Sequence, residues 1–333
     1  MRFFNTAGPV NPTDHYCLPP LARFNLDEIL LLIQQKKYFV LHAPRQTGKT
    51  SSLLALMAYL NAQDQYRCVY LNVEVGQAAR ENVAAAMQAM LGALVSRVRT
   101  GFNDDFLASI WTSVLNEYGP FGAFGELLTR WAVHEPKPLV LLIDEIDALV
   151  GDTLIAVLRQ LRGGYDKRPE YFPQSVVLCG VRDVRDYRIH SASEKAIITG
   201  GSAFNIKAKS LRLGNFAQTE VATLYRQHTE ETGQVFTPEA LQRLWELTQG
   251  QPWLVNALGY ETCFESKSGR DRSRSITVEH VEEAKENLIQ RRETHLDQLA
   301  DKLQEEWVGR GIKPLLADEG EPVRGRVITV WGM

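Results

Sequence analysis

The sequence has no paired cysteines. Its four, Cys17, Cys68, Cys179 and Cys263, are widely separated and form no CxxC pair, so neither a disulfide framework nor a thiolate zinc site is expected. Cys68 and Cys179 sit inside apolar, strand-like runs, where a free thiol usually packs as a small hydrophobe. Long hydrophobic runs are missing too. Nothing approaches the roughly 20 apolar residues that cross a bilayer, so no membrane is expected as a partner. Met1 to Val10 lacks a basic patch followed by an apolar core and does not read as a secretory leader; the expected location is cytoplasmic. Charge of one sign is also lacking. With 37 Lys and Arg against 40 Asp and Glu, the net charge is −3, and no whole-protein field draws the chain onto nucleic acid or an anionic surface. A local basic face remains open. No internal repeat is present, which excludes a solenoid.

What is there is an ordinary globular composition, 44% hydrophobic and 23% charged over 333 residues, more than one average domain and enough for a large core. Residues 1–25, with Pro9, Pro12, Pro19 and Pro20, read as an irregular lead-in. Ile29, Leu30 and Ile33 then predict a helix over Leu26 to Gln35. Short apolar runs at Tyr38 to His42, Cys68 to Val73, Leu139 to Ile143 and Ser175 to Cys179 predict strands, with Ser210 to Leu213 a candidate fifth. Helices are predicted after the first strand, over Ala78 to Val98, over Phe106 to Val133 with a break at Gly119-Pro120, and near Thr153 to Leu161. Strands that are apolar throughout and alternate with helices imply a parallel sheet covered on both faces. After Phe216 the pattern becomes helix after helix. Thr237-Pro238-Glu239 is a helix start, with Pro at the first helical position, and Thr277 begins another. The α/β core is therefore expected over 26–214 and a helical domain over 215–308. The tail, 309–333, is unlike the rest; Arg324 to Met333 reads as a lone strand, either the opening of a further element or a segment packed on the helical domain.

Directly after the first strand comes Ala43-Pro44-Arg45-Gln46-Thr47-Gly48-Lys49-Thr50, with Ser51 following in the next helix. A nucleoside triphosphate is a dense cluster of anionic oxygens, best bound by converging backbone N–H groups at a helix N-terminus. Gly48 permits close backbone approach, Lys49 supplies a point charge to the outer phosphates, and the Thr50 hydroxyl can ligate Mg²⁺. Ala43 stands where the pattern has its first Gly, which is tolerable if its φ stays negative. The apolar strand Leu139 to Ile143 then ends in Asp144-Glu145. Asp144 at the sheet's carboxyl edge can hold Mg²⁺, usually through water, and Glu145 can orient and deprotonate a lytic water. Both acids together argue for hydrolysis. Read blandly, Asp144, Glu145 and Asp147 are solvated helix-cap acids.

With these motifs placed, the chain resembles the AAA+/STAND group of P-loop ATPases, and within it the AAA-like ATPases of bacteria and archaea. The residues that carry the resemblance are Arg45-Gln46-Thr47-Gly48-Lys49-Thr50, Asp144-Glu145-Ile146-Asp147, Ala203-Phe204-Asn205-Ile206 and Gly250-Gln251-Pro252-Trp253. It implies an α/β P-loop NTPase of the ASCE/AAA+-like type. Its five-stranded parallel sheet would run in the order 5-1-4-3-2, followed by an all-helical lid that closes over the nucleotide. It implies ATP and Mg²⁺ as cofactors, a nucleotide-sensing role for Gly250 and Pro252, and an adenine-side position for Tyr16 to Pro20, a segment that reads equally as ordinary coil. Gly250 to Pro252 could equally be a plain turn before a helix. Two departures matter. The fourth strand lacks a polar sensor at its end, which leaves Arg182 either as a γ-phosphate sensor or as a surface partner of Asp183 or Asp186. No arginine sits at Gly250-Gln251-Pro252, which favours a switch over a ring machine.

Arg182, Arg185 and Arg188 could supply an arginine finger, although the interleaved Asp183 and Asp186 favour a salt-bridged loop. Lys267, Arg270, Arg272 and Arg274 read as a flexible exposed loop and not as a nucleic-acid contact. Glu282 to Glu306 reads as a solvent-facing helix pair. The leading expectation is an ATP-hydrolysing conformational switch that exchanges ATP and ADP and works with a partner protein or a second copy of itself. Its alternatives are a DNA-acting AAA+ component, initiator-like or transposition-helper-like, and a nucleotide-binding interaction module with little turnover. The expected mark of the DNA-acting reading is a winged-helix domain after the lid.

Overall fold

A computed structural model describes residues 1–184, 187–191 and 196–291. The chain divides into an α/β unit, Pro19–Gly214, and a helical unit made of Met1–Leu18 with the residues from Asn215 onward. The division after Gly214 separates the parallel sheet from the helices that follow it. The lead-in differs from its expected form. Residues 1–25 are split between the two units, and they contain short strands at Phe3–Phe4 and His15–Tyr16, paired in parallel, and a 3₁₀ turn at Pro20–Arg23. The tail over 309–333 and most of the expected helix pair lie outside the described residues.

Five strands build the sheet of the α/β unit: β1 (Tyr38–His42), β2 (Arg67–Asn72), β3 (Leu139–Asp144), β4 (Ser175–Gly180) and β5 (Lys207–Arg212). They lie in the order β5-β1-β4-β3-β2 and all pair in parallel. The helices are α1 (Leu26–Gln34), α2 (Lys49–Ala62), α3 (Val83–Phe102), α4 (Phe106–Tyr118), α5 (Ala123–His134), α6 (Gly151–Gly163) and the single turn α7 (Gly200–Ala203).

Alternation along the strands decides which side chains meet which helices. Phe39, Leu41, Cys68, Tyr70, Val140, Leu142, Val177 and Cys179 pack with Ile29 and Ile33 of α1 and with Leu53, Leu56 and Leu60 of α2. The opposite set, Tyr38, Val40, Val69, Leu71, Leu139, Leu141, Ile143, Val176 and Leu178, packs under α3, α5 and α6 around Leu91, Leu127, Trp131 and Leu158. Each such buried apolar side chain contributes roughly 1.5–3 kcal/mol of transfer free energy. The same alternation sends Asp144, two residues beyond Leu142, to the α2 face. All five strand residues before Asp144 are buried, so the carboxylate terminates an apolar strand.

In the helical unit, α8 (Gln218–Thr232), α9 (Pro238–Thr248), α10 (Pro252–Tyr260) and α11 (Val278–Gln290) surround a core that includes Leu224, Tyr225, Leu244, Val255, Leu258 and Val281. The Thr237 side chain accepts from the Ala240 amide, and Pro238 opens α9, as the sequence pattern predicts. Phe4 and Tyr16 are buried in this core, and Gln227 brackets Cys17 by accepting from its amide at 3.1 Å and donating to its carbonyl at 2.9 Å. That is why the N-terminal residues belong to the helical unit. The basic loop is also less free than its composition suggests. The Arg272 guanidinium donates to Gln234 at 2.6 Å, and Gln234 in turn donates to the Gly269, Asp271 and Arg274 carbonyls.

Candidate nucleotide and metal site

The parallel register brings the carboxyl ends of four strands to one edge. His42 pairs with Gly180, Ile143 with Leu178, and Asn72 with Asp144. The Ala43 amide donates to the Gly180 carbonyl at 3.2 Å, which fastens the loop after β1 to the end of β4. In open α/β sheets this edge is where ligands bind.

The loop from Ala43 to Gly48 leaves β1 and enters α2. Ala43 keeps a negative φ, being outside the positive-φ residues, so a side chain is tolerated there. Gly48 has φ 86° and ψ 20°, a left-handed conformation that costs other residues about 1–2 kcal/mol. No side chain caps the α2 N-terminus, and helix N-termini of this kind favour anions. Pro44, Arg45 and Gln46 are exposed, Ser51 is partly buried, and Thr47 is buried with its hydroxyl donating to the Pro44 carbonyl at 2.8 Å. Lys49 is only 5% exposed. Its ammonium donates to the carbonyls of Ala43 at 3.0 Å and Pro44 at 3.1 Å, which holds a positive charge inside the loop.

The acidic half of the site comes from β3. Asp144 is 0% exposed and fully engaged. Its Oδ2 accepts from the Thr50 hydroxyl at 2.6 Å and from the Tyr70 hydroxyl at 2.9 Å, and its Oδ1 accepts from the Glu145 amide at 3.0 Å. Thr50 and Asp144, 94 residues apart, are thus in direct contact. Glu145 adopts φ 56°, ψ 42°, an uncommon conformation for a residue with a side chain and one that concentrates at functional sites. Burial, and next the Asp144 charge, push its carboxyl above the usual range against the pull of Lys49. Asp147, a candidate solvated acid, instead accepts from the Val181 amide at 3.0 Å and ties the exit of β3 to the exit of β4. Cys179, on the α2 face of β4, is a buried thiol held well above its usual value by burial foremost and then by Asp144.

Two contributors carry no motif signal. Tyr70 sits on β2, two residues before the partner of Asp144. Arg23, in the 3₁₀ turn, donates to the Thr47 carbonyl at 3.1 Å and to the Gly214 carbonyl at 2.5 Å. Arg182 lies two residues past β4 and is exposed. Asp183, a proposed partner for it, pairs with Lys207, and both of those side chains are buried. Arg185 and Asp186 lie outside the described residues. Pro252 is buried at the start of α10 in the helical unit. Gly250 has φ 69°, and its carbonyl accepts from the Phe216 amide at 2.8 Å.

The donor set fits a magnesium–triphosphate. Two hard oxygens, Thr50 Oγ1 and Asp144 Oδ2, meet beside a buried ammonium and an uncapped helix end. Among the described residues no group of three or more His, Cys, Asp or Glu could hold an ion unaided. Magnesium typically uses one or two protein oxygens and completes its shell from phosphate and water.

The parallel sheet order and the helices around it are those of a P-loop protein of the AAA+ type. The chain belongs to the AAA-like domain family, whose pattern it matches over residues 25–306. Among solved structures it is similar to a Walker-type ATPase of Pyrococcus abyssi, at 14% identity and TM-score 0.57, covering 96% of this chain and 89% of that one. It is also similar to Cdc6p of Pyrobaculum aerophilum, at 14% identity and TM-score 0.51, covering 79% of this chain and 65% of that one. The chain therefore spans a little under two thirds of the Cdc6p chain, and at such identity the likeness is one of fold. No curated protein sequence gives a match. No described helix is long and apolar enough to cross a membrane.

Proposed function

We propose that the chain is an ATP-hydrolysing conformational switch. The observation that carries this reading is the 2.6 Å contact between Thr50 at the head of α2 and Asp144 at the end of β3, which makes the loop and the acid pair one site. The amides from Gly48 to Ser51 and the Lys49 ammonium bind the β- and γ-phosphates. Thr50 and Asp144 hold magnesium, which when bound neutralises charge across those phosphate oxygens. Glu145 accepts a proton from the attacking water as its oxygen bonds to the γ-phosphorus; the bond to the ADP oxygen breaks, giving ADP and inorganic phosphate. The raised carboxyl of Glu145 makes it a stronger base than a free glutamate, and its own amide donates to Asp144 Oδ1, which ties the turn to the metal ligand. Arg182 is assigned a γ-phosphate-sensing role, and Pro252 is assigned the role of making the state of the helical unit follow the nucleotide.

Phosphate release by the purified chain, with and without magnesium, tests this reading. Magnesium-dependent release that Glu145→Gln abolishes is expected. Equally slow release by both proteins would reduce the chain to a nucleotide-binding module and remove Glu145 from its role. A gel shift on duplex DNA, with and without ATP, separates the switch from a DNA-acting component; the expected result is no ATP-dependent shift.

A further inference from the structure

Asp144 carries more hydrogen bonds than the motif needs. Thr50 comes from the phosphate loop and the Glu145 amide from the next residue, but Tyr70 reaches in from the edge strand β2, 74 residues earlier in the chain. Its ring is 4% exposed and belongs to the α2-face core. From α3 the Arg97 guanidinium stands over the ring, 5.3 Å from its centre, and helps to fix its orientation. Tyr70 from the neighbouring strand and Thr50 from α2 both hold Oδ2, and the Glu145 amide holds Oδ1. Rotation about the Asp144 side chain would break all three bonds at once.

This matters for which cation the site accepts. Magnesium demands near-ideal octahedral geometry and takes single carboxylate oxygens or their bound waters. Calcium is larger, accepts six to eight ligands and readily takes a carboxylate through both oxygens. A pinned carboxylate suits the first ion and resists the second.

We propose that Tyr70 is a positioning residue of the metal–triphosphate site, one that locks Asp144 and so sets the preference for magnesium over calcium. The inference rests on the ATPase reading above. Partners that orient a metal ligand in this way are worth roughly 10–100-fold in metal affinity.

Tyr70→Phe keeps the ring and its packing and removes only the hydroxyl. Binding of a fluorescent, non-hydrolysable ATP analogue would be titrated with magnesium chloride, with calcium chloride and in EDTA, for the parent and the variant. The variant should need about tenfold more magnesium for half-maximal binding. Its calcium-to-magnesium preference should move toward calcium, and its binding in EDTA should stay within about twofold of the parent's. Arg97→Ala, an exposed change that spares the fold, should shift the same ratio in the same direction by a smaller factor. Unchanged midpoints and ratios in Tyr70→Phe would overturn the proposal, as would an equal loss of binding in EDTA, which is the mark of a merely structural tyrosine. Should Tyr70→Phe fail to fold, an unaltered ratio in Arg97→Ala is the overturning result. A parent whose analogue binding ignores metal altogether would overturn the ATPase reading, and this inference with it. A metal-dependent parent with an unshifted variant would overturn the role of Tyr70 alone.

Discussion

The loop from Ala43 to Thr50 and the turn from Gly250 to Pro252 have the same local form: a left-handed glycine close before a helix. Their surroundings differ. Gly250 donates to the Thr248 hydroxyl at 3.2 Å and accepts from Phe216, the Gln251 side chain caps the Leu254 amide at 2.6 Å, and Pro252 fills the first helical position. The backbone groups of Gly250 and Gln251 all close on neighbours within the helical unit. A Cβ on Gly250 would come within 2.0 Å of the Phe216 carbonyl oxygen, so packing and its positive φ together require this glycine. At Gly48 an added Cβ meets only the Arg23 guanidinium, at 3.2 Å. No side chain caps α2, and Lys49 and Thr50 at its head converge with Asp144 at the end of β3. A turn satisfied within itself explains its sequence without a ligand. The phosphate loop does not, because its lysine is buried among carbonyls and its helix end is uncapped.

That contrast can be broken experimentally. The largest effect is expected from Glu145→Gln, which should lower turnover by about 10²–10⁴-fold while ATP stays bound, as read by quench-flow and bound-nucleotide analysis. The parent should also lose activity as pH falls through a limb above the ordinary carboxylate range, because the raised Glu145 carboxyl is protonated there and cannot accept a proton. The Gln variant should lack that limb. Lys49→Ala should reduce turnover by on the order of 10²–10³, since it removes the buried cation; unchanged phosphate release would refute the phosphate-loop assignment. Gly250→Ala should act on stability, lowering it by about 1–3 kcal/mol in chemical denaturation, through its strained φ and the Phe216 contact. If turnover fell as steeply as in Lys49→Ala with stability intact, the two turns would not differ as described. Smallest is Pro252→Ala, expected to weaken ATP-analogue binding by only a few-fold. Identical affinity would leave Pro252 as a helix opener and remove its sensing role.

The parts of the molecule visible in the sequence are those with a local signature. β1, β3 and β4 were within a residue or two because apolar runs bounded by polar turns are self-evident. Gly119 and Pro120 marked the break between α4 and α5. The fifth strand begins earlier than its apolar residues suggest, since Lys207 and Lys209 on an edge strand carry no hydrophobic signal, and the register with β1 shifts between Tyr38 and Phe39. The helix expected from Ala78 starts instead at Val83, because Asn82 caps it by accepting from the Ala85 amide and a 3₁₀ turn fills Val73–Ala79. Phe4 and Tyr16 gave no sign of joining the helical core, as two-residue strands have no periodicity to read. Tyr70 is the sharpest case. Its role depends on pairing Asn72 with Asp144, and register is a property of two strands together. Once β2 is known to lie beside β3, a tyrosine two residues before the partner of the acid becomes a candidate. No motif in β2 itself points to it.

The central claim is that the loop after β1 and the acids after β3 serve one metal–triphosphate. A crystal structure grown with magnesium and a non-hydrolysable ATP analogue tests it most directly. The account predicts phosphate oxygens on the amides of Gly48 to Ser51 and on Lys49, with the cation beside Thr50 and Asp144. An analogue seated away from that edge of the sheet, or phosphates bound there with the cation remote from Asp144, would contradict it.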